Sequence, residues 1–333
     1  YELDDKYGDL LDEKALLIIL GFILAILLFT DVKIRLKDLF MISGLSILML
    51  MARRQTSMFY LFGSGVLATL ISDLIAKYDK DGTEEFKKII DVCASMPDVK
   101  EDVFKNHDNN MWWPLEIEDY KKRLLIAGLS TRISYNMINS YRKVINKLNE
   151  YSYEQIKSMT KEEIIEIIKG LGLSNTRYSY LSSMVDFIEK YNDTILEKDN
   201  DELIELIANN VSGASYKVAQ CCVLYMRGYY CGIMPVDSGM KDVELPCIGF
   251  EKYGNAIGHD ILRKQLQELV KDNNMKDIIT KYGYDKLNIP NYDNATWWSH
   301  LVLIYFKRHY CNKHKPDECP LANKVCVSCK CKK

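Results

Sequence analysis

The sequence reads Val211-Ser-Gly-Ala-Ser-Tyr-Lys-Val-Ala219 at the stretch that decides the fold, between two helical patterns. Apolar residues at helical spacing predict one helix over 201–210 and a second over 216–226. Gly213 allows the turn between them, because glycine adopts backbone conformations that a side chain opposes. The pattern predicts a helix–hairpin–helix whose turn and second-helix N-terminus present N–H groups suited to a phosphate.

Two ionisable residues accompany the hairpin. Lys217 lies in the first turn of the second helix, beside the anion site, and Asp237 ends the segment Met234-Pro-Val-Asp237. Taken singly, a lysine after a turn is usually a solvated charge, and an aspartate before a helix is usually an N-cap. Because both occur at fixed places relative to the hairpin, the pair is a candidate functional site.

The stretch resembles the endonuclease III group of the helix–hairpin–helix DNA glycosylases. Their hairpin reads Leu-Pro-Gly-Val-Gly-x-Lys-x-Ala, and a Val-Asp follows at the next turn, where this chain has Val236-Asp237. Ser212 replaces the proline, Ser215 the second glycine, and the residues after Asp237 differ from the usual Thr-His-x-x-Arg. The resemblance implies that Lys217 is a nucleophile and Asp237 its electrostatic partner. It also implies DNA contacts at the hairpin residues Val211, Ser212, Gly213, Ala214, Ser215 and Tyr216.

A second segment extends the resemblance. Gly170-Leu-Gly-Leu-Ser-Asn-Thr-Arg177 is similar to the Ile-Gly-Leu-Tyr-Asn-Ser-Lys region that precedes the hairpin in the same family, so the likeness covers roughly 85–240 and 295–330. The family carries a glutamine that fills the gap left by an extruded base. The nearest position here is about Gly128, which cannot do so; either the wedge lies elsewhere or the substrate differs.

Composition is that of a globular protein: 48% of residues are hydrophobic, 27% are charged, and the net charge is −2. At 333 residues, the chain has room for two domains. Lysine and arginine outnumber acidic residues seven to one over 121–150 and eight to two over 307–333. Basic runs are usually solvated faces, but two tracts on either side of the hairpin also suit a phosphate track.

Three uncharged apolar runs lie in the N-terminal part of the chain, over 15–30, 39–52 and 57–72, the last continuing past Asp73 to 76. Each is slightly shorter than the ~20 residues that span a bilayer. They predict membrane-spanning helices within 15–76, with buried core helices as the alternative. Basic residues between the first two runs would place that loop in the cytoplasm. With three spans the domain after residue 77 would also be cytoplasmic, whereas two spans would leave its side open.

Five of the ten cysteines lie between 311 and 331, which favours a metal site over a disulfide framework and suggests a reducing compartment. The glycosylases place four cysteines here, spaced x6, x2 and x5, around a [4Fe–4S] cluster. The resemblance implies Cys311, Cys319, Cys326 and Cys329 as ligands, although the spacing differs. Zinc, with His314 as a further ligand, and no metal at all remain alternatives.

Other helices follow from the pattern of the remaining chain. Thr160-Lys-Glu-Glu163 is a capping box, and a helical stripe over 116–148 is interrupted near 128–131. Further helices are predicted over 85–96, 178–191 and 297–310. The segment 241–295 is longer than the family has at this place; helices are predicted over 257–270 and 275–282, without a function.

The predicted fold is all-α: a two-lobed helix–hairpin–helix glycosylase fold preceded by transmembrane helices. Residues 1–77 would anchor the chain in the membrane, 113–229 would form the hairpin lobe, and 84–112 with 230–333 the second lobe. The predicted function is base excision from double-stranded DNA by a monomer without a small-molecule cofactor. The Lys217 amine, its pKa lowered by desolvation, would form a Schiff base. The alternatives are a membrane-tethered DNA-binding module without catalysis, and a helical protein with a zinc tail that does not bind DNA.

Overall fold

The computed structural model describes residues 18–30, 34, 36–51, 62–71, 74, 80–110, 112, 116–130, 132–192, 194–313 and 319–322. Regular structure in these ranges is helical and includes no strand, which is consistent with the all-α part of the fold prediction. Contacts divide the chain into two units, Tyr1–Gly82 and Thr83–Lys333. The subdivision of the second unit into two lobes stays a prediction.

The first unit contains three described helices: α1 over 18–29, α2 over Leu36–Met51 and α3 over 62–71. Their apolar side chains form a small core. Its buried members are Ile23, Ile26, Ile42, Val66 and Leu70. Other large apolar side chains of the same helices stay exposed, among them Phe29 and Phe40.

The prediction of transmembrane helices within 15–76 is wrong. No helix in the described part of the chain is long and apolar enough to cross a membrane. Helix α2 has 16 residues, and at 1.5 Å per residue it rises about 24 Å, short of the ~30 Å hydrocarbon core. The prediction of a membrane-anchored localisation fails with it.

The second unit is built from helices joined by short turns and 3₁₀ segments. Helices α4 to α10 cover Lys80–Ser95, Pro97–Asn106, Tyr120–Ala127, Ile138–Asn149, Tyr153–Ser158, Lys161–Ile168 and Ser174–Tyr191. Helices α11 to α17 cover Thr194–Glu197, Asn200–Asn210, Tyr216–Arg227, Leu245–Cys247, Gly258–Asn273, Lys276–Lys281 and Thr296–His309. A π-helical turn, Met240–Glu244, leads into α14.

Local sequence signals determine several of these boundaries. The capping box at Thr160 is present: the Glu163 N–H donates to Thr160 Oγ1, and Glu163 accepts from the Thr160 N–H at 2.8 Å. The predicted stripe over 116–148 is interrupted where expected, since α6 ends at Ala127 and α7 begins at Ile138. Helix α10 begins at Ser174, four residues before the predicted start, because Leu173 in the left-handed region forms its N-terminal boundary.

Helices α13 and α17 form the centre of the second unit. Every residue of α13 from Val218 to Met226 is buried, and so is every residue of α17 from Thr296 to Phe306. Burial all round is expected of a helix enclosed by other helices. The two helices therefore hold the residues near their ends, including Lys217 and Arg308, in defined positions.

Candidate active site

The hairpin between α12 and α13 has the predicted form. The Ala214 N–H donates to the Val211 carbonyl at 3.1 Å, and Gly213 adopts a φ of 77°, the left-handed conformation for which glycine was invoked. The Ser212 N–H donates to Ser183 Oγ on α10 at 2.9 Å. Helix α10 thus holds the hairpin from behind.

The hairpin residues predicted to contact DNA differ in exposure. Val211 and Ala214 are buried, whereas Ser212, Gly213 and Ser215 are exposed. Tyr216 is half-buried. Ser215 begins α13 without a side-chain cap, so the N–H groups of the first turn lack an acceptor from that residue. Backbone donors at an exposed helix N-terminus are the arrangement that binds an anionic oxygen.

Lys217 and Asp237 come together although twenty residues separate them. The Lys217 Nζ lies 3.1 Å from Asp237 Oδ1, and the two side chains keep 26% and 32% of their surface exposed. Helix α13 supplies the lysine from its first turn, and the extended segment after Ile233 supplies the aspartate. The pair is open enough to meet a substrate and close enough to act as one unit.

The ion pair corrects the expectation for the lysine. Burial alone lowers the pKa of Lys217, but the Asp237 carboxylate and the nearby Cys221 outweigh burial, so the pKa is raised above its ordinary value. Burial likewise raises the pKa of Asp237, yet Lys217 and then His300 outweigh it, and that pKa is lowered. The resting site therefore holds an ammonium beside a carboxylate, not a neutral amine.

Two spaces open on either side of this pair. An inner cavity of about 210 Å³ is lined by aromatic and apolar side chains together with polar and charged ones. Its aromatic walls are Trp112, Tyr225, Trp297 and Tyr305. An outer groove of about 580 Å³ runs past the hairpin residues Gly213 and Ser215. Lys217 and Asp237 line both spaces, so the ion pair lies where the groove meets the cavity.

His300 and Cys221 complete the polar lining beside the pair. Burial lowers the pKa of His300 to about 4 against the opposing effect of Asp237, so this imidazole is neutral at pH 7. It stacks on Trp297, with ring centroids 5.4 Å apart. Burial raises the pKa of the Cys221 thiol against the effect of Lys217. Cys221 is therefore a thiol at neutral pH. Since a thiol forms no imine with a sugar, Lys217 is the candidate for Schiff-base chemistry in this cavity.

Cations line the groove, and three of them belong to the two predicted basic tracts. Arg132 alone represents the 121–150 tract, and Lys307 and Arg308 represent the 307–333 tract. Lys122 is instead buried against the carbonyl of Asn149, at 3.1 Å. Arg308 packs over the ring of Tyr305, 5.0 Å from its centroid. Arg177, which lies outside both tracts, also lines the groove, but its guanidinium is buried against backbone carbonyls. The charge counts thus indicated the tracts, and the tertiary structure decides which of their described cations line the groove.

Two residues at the groove adopt a left-handed backbone conformation that side chains rarely take. They are Arg132, with a φ of 55°, and Leu173, with a φ of 52°. Leu173 is 52% exposed. Arg177 holds the loop before it, since its Nε donates to the Gly172 carbonyl at 2.9 Å and its Nη1 to the Leu129 carbonyl. Such strain persists where surrounding structure enforces it, and it is frequent at functional sites.

The position about Gly128 is closed to any wedge residue. A Cβ at Gly128 would lie 2.2 Å from the ring of Tyr180, which is itself fixed by a 2.6 Å hydrogen bond to the Leu124 carbonyl. Glycine at 128 is therefore required by packing. Leu173 is the exposed large apolar side chain among the residues that line the groove.

The cysteine tail is described only in part. Cys311 and Cys319 are half-buried and pack against the core, and both raise the pKa of the buried Cys93 after the larger effect of burial. Cys326 and Cys329 lie outside the described residues. Among the residues that are described, no three His, Cys, Asp or Glu side chains form a metal-binding group. A [4Fe–4S] cluster requires four thiolates, so the metal stays a prediction and the chemistry proposed for Lys217 does not use it.

No protein-family model matches this chain, and a search of the curated proteins finds no match. The residues of the site and the resemblance of the hairpin to that of the endonuclease III group are therefore the basis for a function.

Proposed function

We propose that the protein is a DNA glycosylase that removes a base through a Schiff base at Lys217, with strand cleavage by β-elimination to follow. The observation that carries this proposal is the Lys217–Asp237 ion pair at the junction of an aromatic-walled cavity and a cation-lined groove. Duplex DNA would lie along the groove, and an extruded base would enter the cavity.

The ion pair suggests the order of the chemical steps. A departing base needs a proton as its bond to the sugar C1′ breaks, and the Lys217 ammonium holds one next to Asp237. Transfer of that proton leaves a neutral amine, whose lone pair attacks C1′. The Asp237 carboxylate stabilises the positive charge that the sugar and then the lysine carry. The scheme starts from a protonated lysine, as the resting site has it, and the proton is used before the amine attacks.

Affinity for DNA would come from the hairpin amides and the groove cations. Arg132, Lys307 and Arg308 neutralise phosphates, so binding is expected to weaken as salt rises. Each phosphate contact contributes about 0.9 to the slope of log affinity against log salt. A groove with these three cations supports a sequence-independent interaction with a duplex.

Borohydride trapping on a duplex with an abasic site tests the proposed function. We expect a covalent protein–DNA adduct, because borohydride reduces the Schiff base to a stable amine. Salt-dependent DNA binding without an adduct on any lesion tried would instead indicate a DNA-binding module that has no catalytic activity. Absence of both would indicate a protein that does not act on DNA.

Leu173 is expected to insert into the stack where the base leaves it. Burying a leucine side chain is worth about 1.5–3 kcal/mol, so Leu173→Ala should slow excision from a duplex about tenfold. It should leave trapping on a single-stranded abasic site nearly unchanged, because no stack is opened there. Leu196→Ala is the matched control, since Leu196 is 58% exposed and lines neither space. Equal losses for both variants in a single-turnover assay would contradict this role.

A further inference from the structure

The segment that presents Asp237 is held by its backbone. The Met234 N–H donates to Gln267 Oε1 at 3.1 Å, and the Val236 N–H donates to Gln220 Oε1 at 3.0 Å. Pro235 has no N–H to donate. Both donors of the three residues before Asp237 are therefore bound by glutamine side chains.

His259 binds the same segment from the other side. Its Nδ1 lies 2.8 Å from the Val236 carbonyl. Because a carbonyl only accepts, this ring nitrogen carries the proton and donates it. Burial lowers the pKa of His259, against a smaller opposing effect of that carbonyl, so the ring is neutral with its proton on Nδ1. Val236 is thus held at its N–H by Gln220 and at its carbonyl by His259.

Gln220 and His259 are linked to each other, and their neighbours are linked to the core, by further hydrogen bonds. Gln220 Nε2 donates to the His259 carbonyl at 3.0 Å. The fully buried Arg263 donates to Asp260 Oδ1 at 2.8 Å, to Gln267 Oε1 at 3.1 Å and to Asp201 Oδ1 at 2.8 Å. A satisfied network of this kind keeps its members in one geometry.

We infer that Gln220 and His259 are positioning residues that hold Asp237 against Lys217 through the backbone of Val236, and that the long segment 241–295 acts in the site by supplying His259. The inference deepens the proposed function and rests on it for its catalytic consequence. Gln220 is three residues after Lys217 on α13. One helix therefore supplies both the amine and one of the two side chains that bind Val236, next to Asp237. The hydrogen bonds of the two side chains to this segment go to Val236, the residue next to Asp237.

Single-turnover excision and borohydride trapping test the catalytic consequence. His259→Ala frees the Val236 carbonyl and lets Asp237 move from Lys217, so excision should fall about tenfold, within the ~10²-fold expected for loss of the carboxylate itself. His259→Asn keeps a donor near the Nδ1 position and should restore most of the rate. Asn273→Ala is the control, because Asn273 is a buried polar residue at the far end of the same helix α15. A loss of the same size in Asn273→Ala would overturn the inference.

The acylation rate of Lys217, relative to the other lysines, can be measured without DNA. Partial unfolding would change the rates of many lysines, so it would not give a change confined to Lys217. Groups near the amine are Asp237 and Cys221 in contact with it, His300 on α17, His259 on α15 and Tyr141 on α7. Among them Asp237 has the largest effect in raising the pKa of Lys217. Only the neutral amine is acylated, so each unit by which its pKa falls speeds labelling about tenfold.

Acylation of Lys217 by an N-hydroxysuccinimide ester at pH 8 is therefore measured against the other lysines by mass spectrometry. His259→Ala and Gln220→Ala should each speed labelling of Lys217 at least about threefold, in the direction of Asp237→Asn, and His259→Asn should stay near wild type. Wild-type labelling in both alanine variants, with faster labelling in Asp237→Asn, would overturn the positioning role. A failed proposed function would appear separately, as a wild-type protein that forms no adduct but shows this labelling pattern.

Discussion

Replacing Lys217 by alanine is expected to abolish the borohydride-trapped adduct completely. The variant removes the only amine that lines both the cavity and the groove in the described part of the chain, and the neighbouring Cys221 is a protonated thiol at neutral pH. DNA affinity should fall little, because the hairpin amides, Arg132 and Arg308 remain. The measurement is adduct yield on an abasic duplex at saturating protein, together with the dissociation constant at fixed salt.

Lys307→Ala is the matched control for Lys217→Ala. Lys307 is a second amine along the same groove, but it does not line the inner cavity. Its loss should reduce the salt slope by about one and weaken binding to all sequences alike, while the adduct still forms at saturating protein. Lys217→Arg adds a charge-preserving control, since a guanidinium stays protonated and does not form the Schiff base. An adduct of wild-type intensity from Lys217→Ala would sink the catalytic proposal.

Asp237→Asn is expected to slow base excision by about 10²-fold, the low end for a positioned proton-transfer group. The amide keeps the shape of the side chain but removes the charge that stabilises both the Lys217 ammonium and the developing positive sugar. Burial raises the pKa of Asp237, but the larger combined effect of Lys217 and then His300 lowers it below its ordinary value. The wild-type carboxyl therefore stays ionised across the working pH range. The loss should therefore be similar at every pH between 6 and 9.

Asp237→Asn should also make Lys217 easier to deprotonate, although it slows excision. Asp237 favours the charged lysine, so removing the carboxylate lowers the lysine pKa and increases the neutral fraction at any given pH. Trapping on a preformed abasic site should thus persist, and the acid limb of its pH profile should move to lower pH. Asp242→Asn is the control, because Asp242 is a nearby exposed carboxylate that pairs with Lys241 instead. An acid limb displaced to higher pH, or excision at the wild-type rate, would contradict the role of the pair.

Local signals along the chain predicted the elements that carry the site. The turn at Gly213, the helices on either side of it and the capping box at Thr160 follow from backbone preference and hydrogen bonds within a few residues. The pairing of Lys217 with Asp237 was expected from the resemblance of the hairpin, and the structure places the two at 3.1 Å. The turn, the helices and the cap are readable from sequence because they do not depend on how the helices pack. The Lys217–Asp237 contact does depend on packing, and it was expected only from the resemblance.

The N-terminal runs show the limit of the same reasoning. Uncharged stretches in 15–76 have the composition of membrane spans, but a span is set by the length of continuous helix. The described helices there, over 18–29, Leu36–Met51 and 62–71, are each too short. Part of their apolar surface packs into a core of Ile23, Ile42 and Val66. Composition indicates how apolar a stretch is, but it does not determine the residue at which a helix ends.

The amino-acid sequence by itself determined the helices, their caps and the hairpin that places Lys217 at a helix N-terminus. Only the tertiary structure decided the charge state of that lysine, because its pKa depends on an aspartate brought 3.1 Å away by packing. Packing also decided which described cations of the two basic tracts line the groove, and it left Leu173 exposed there. It brought His259 from the long segment 241–295 to hold the backbone of Val236. These features depend on contacts between residues distant in the chain, and no local pattern specifies which distant residues will meet.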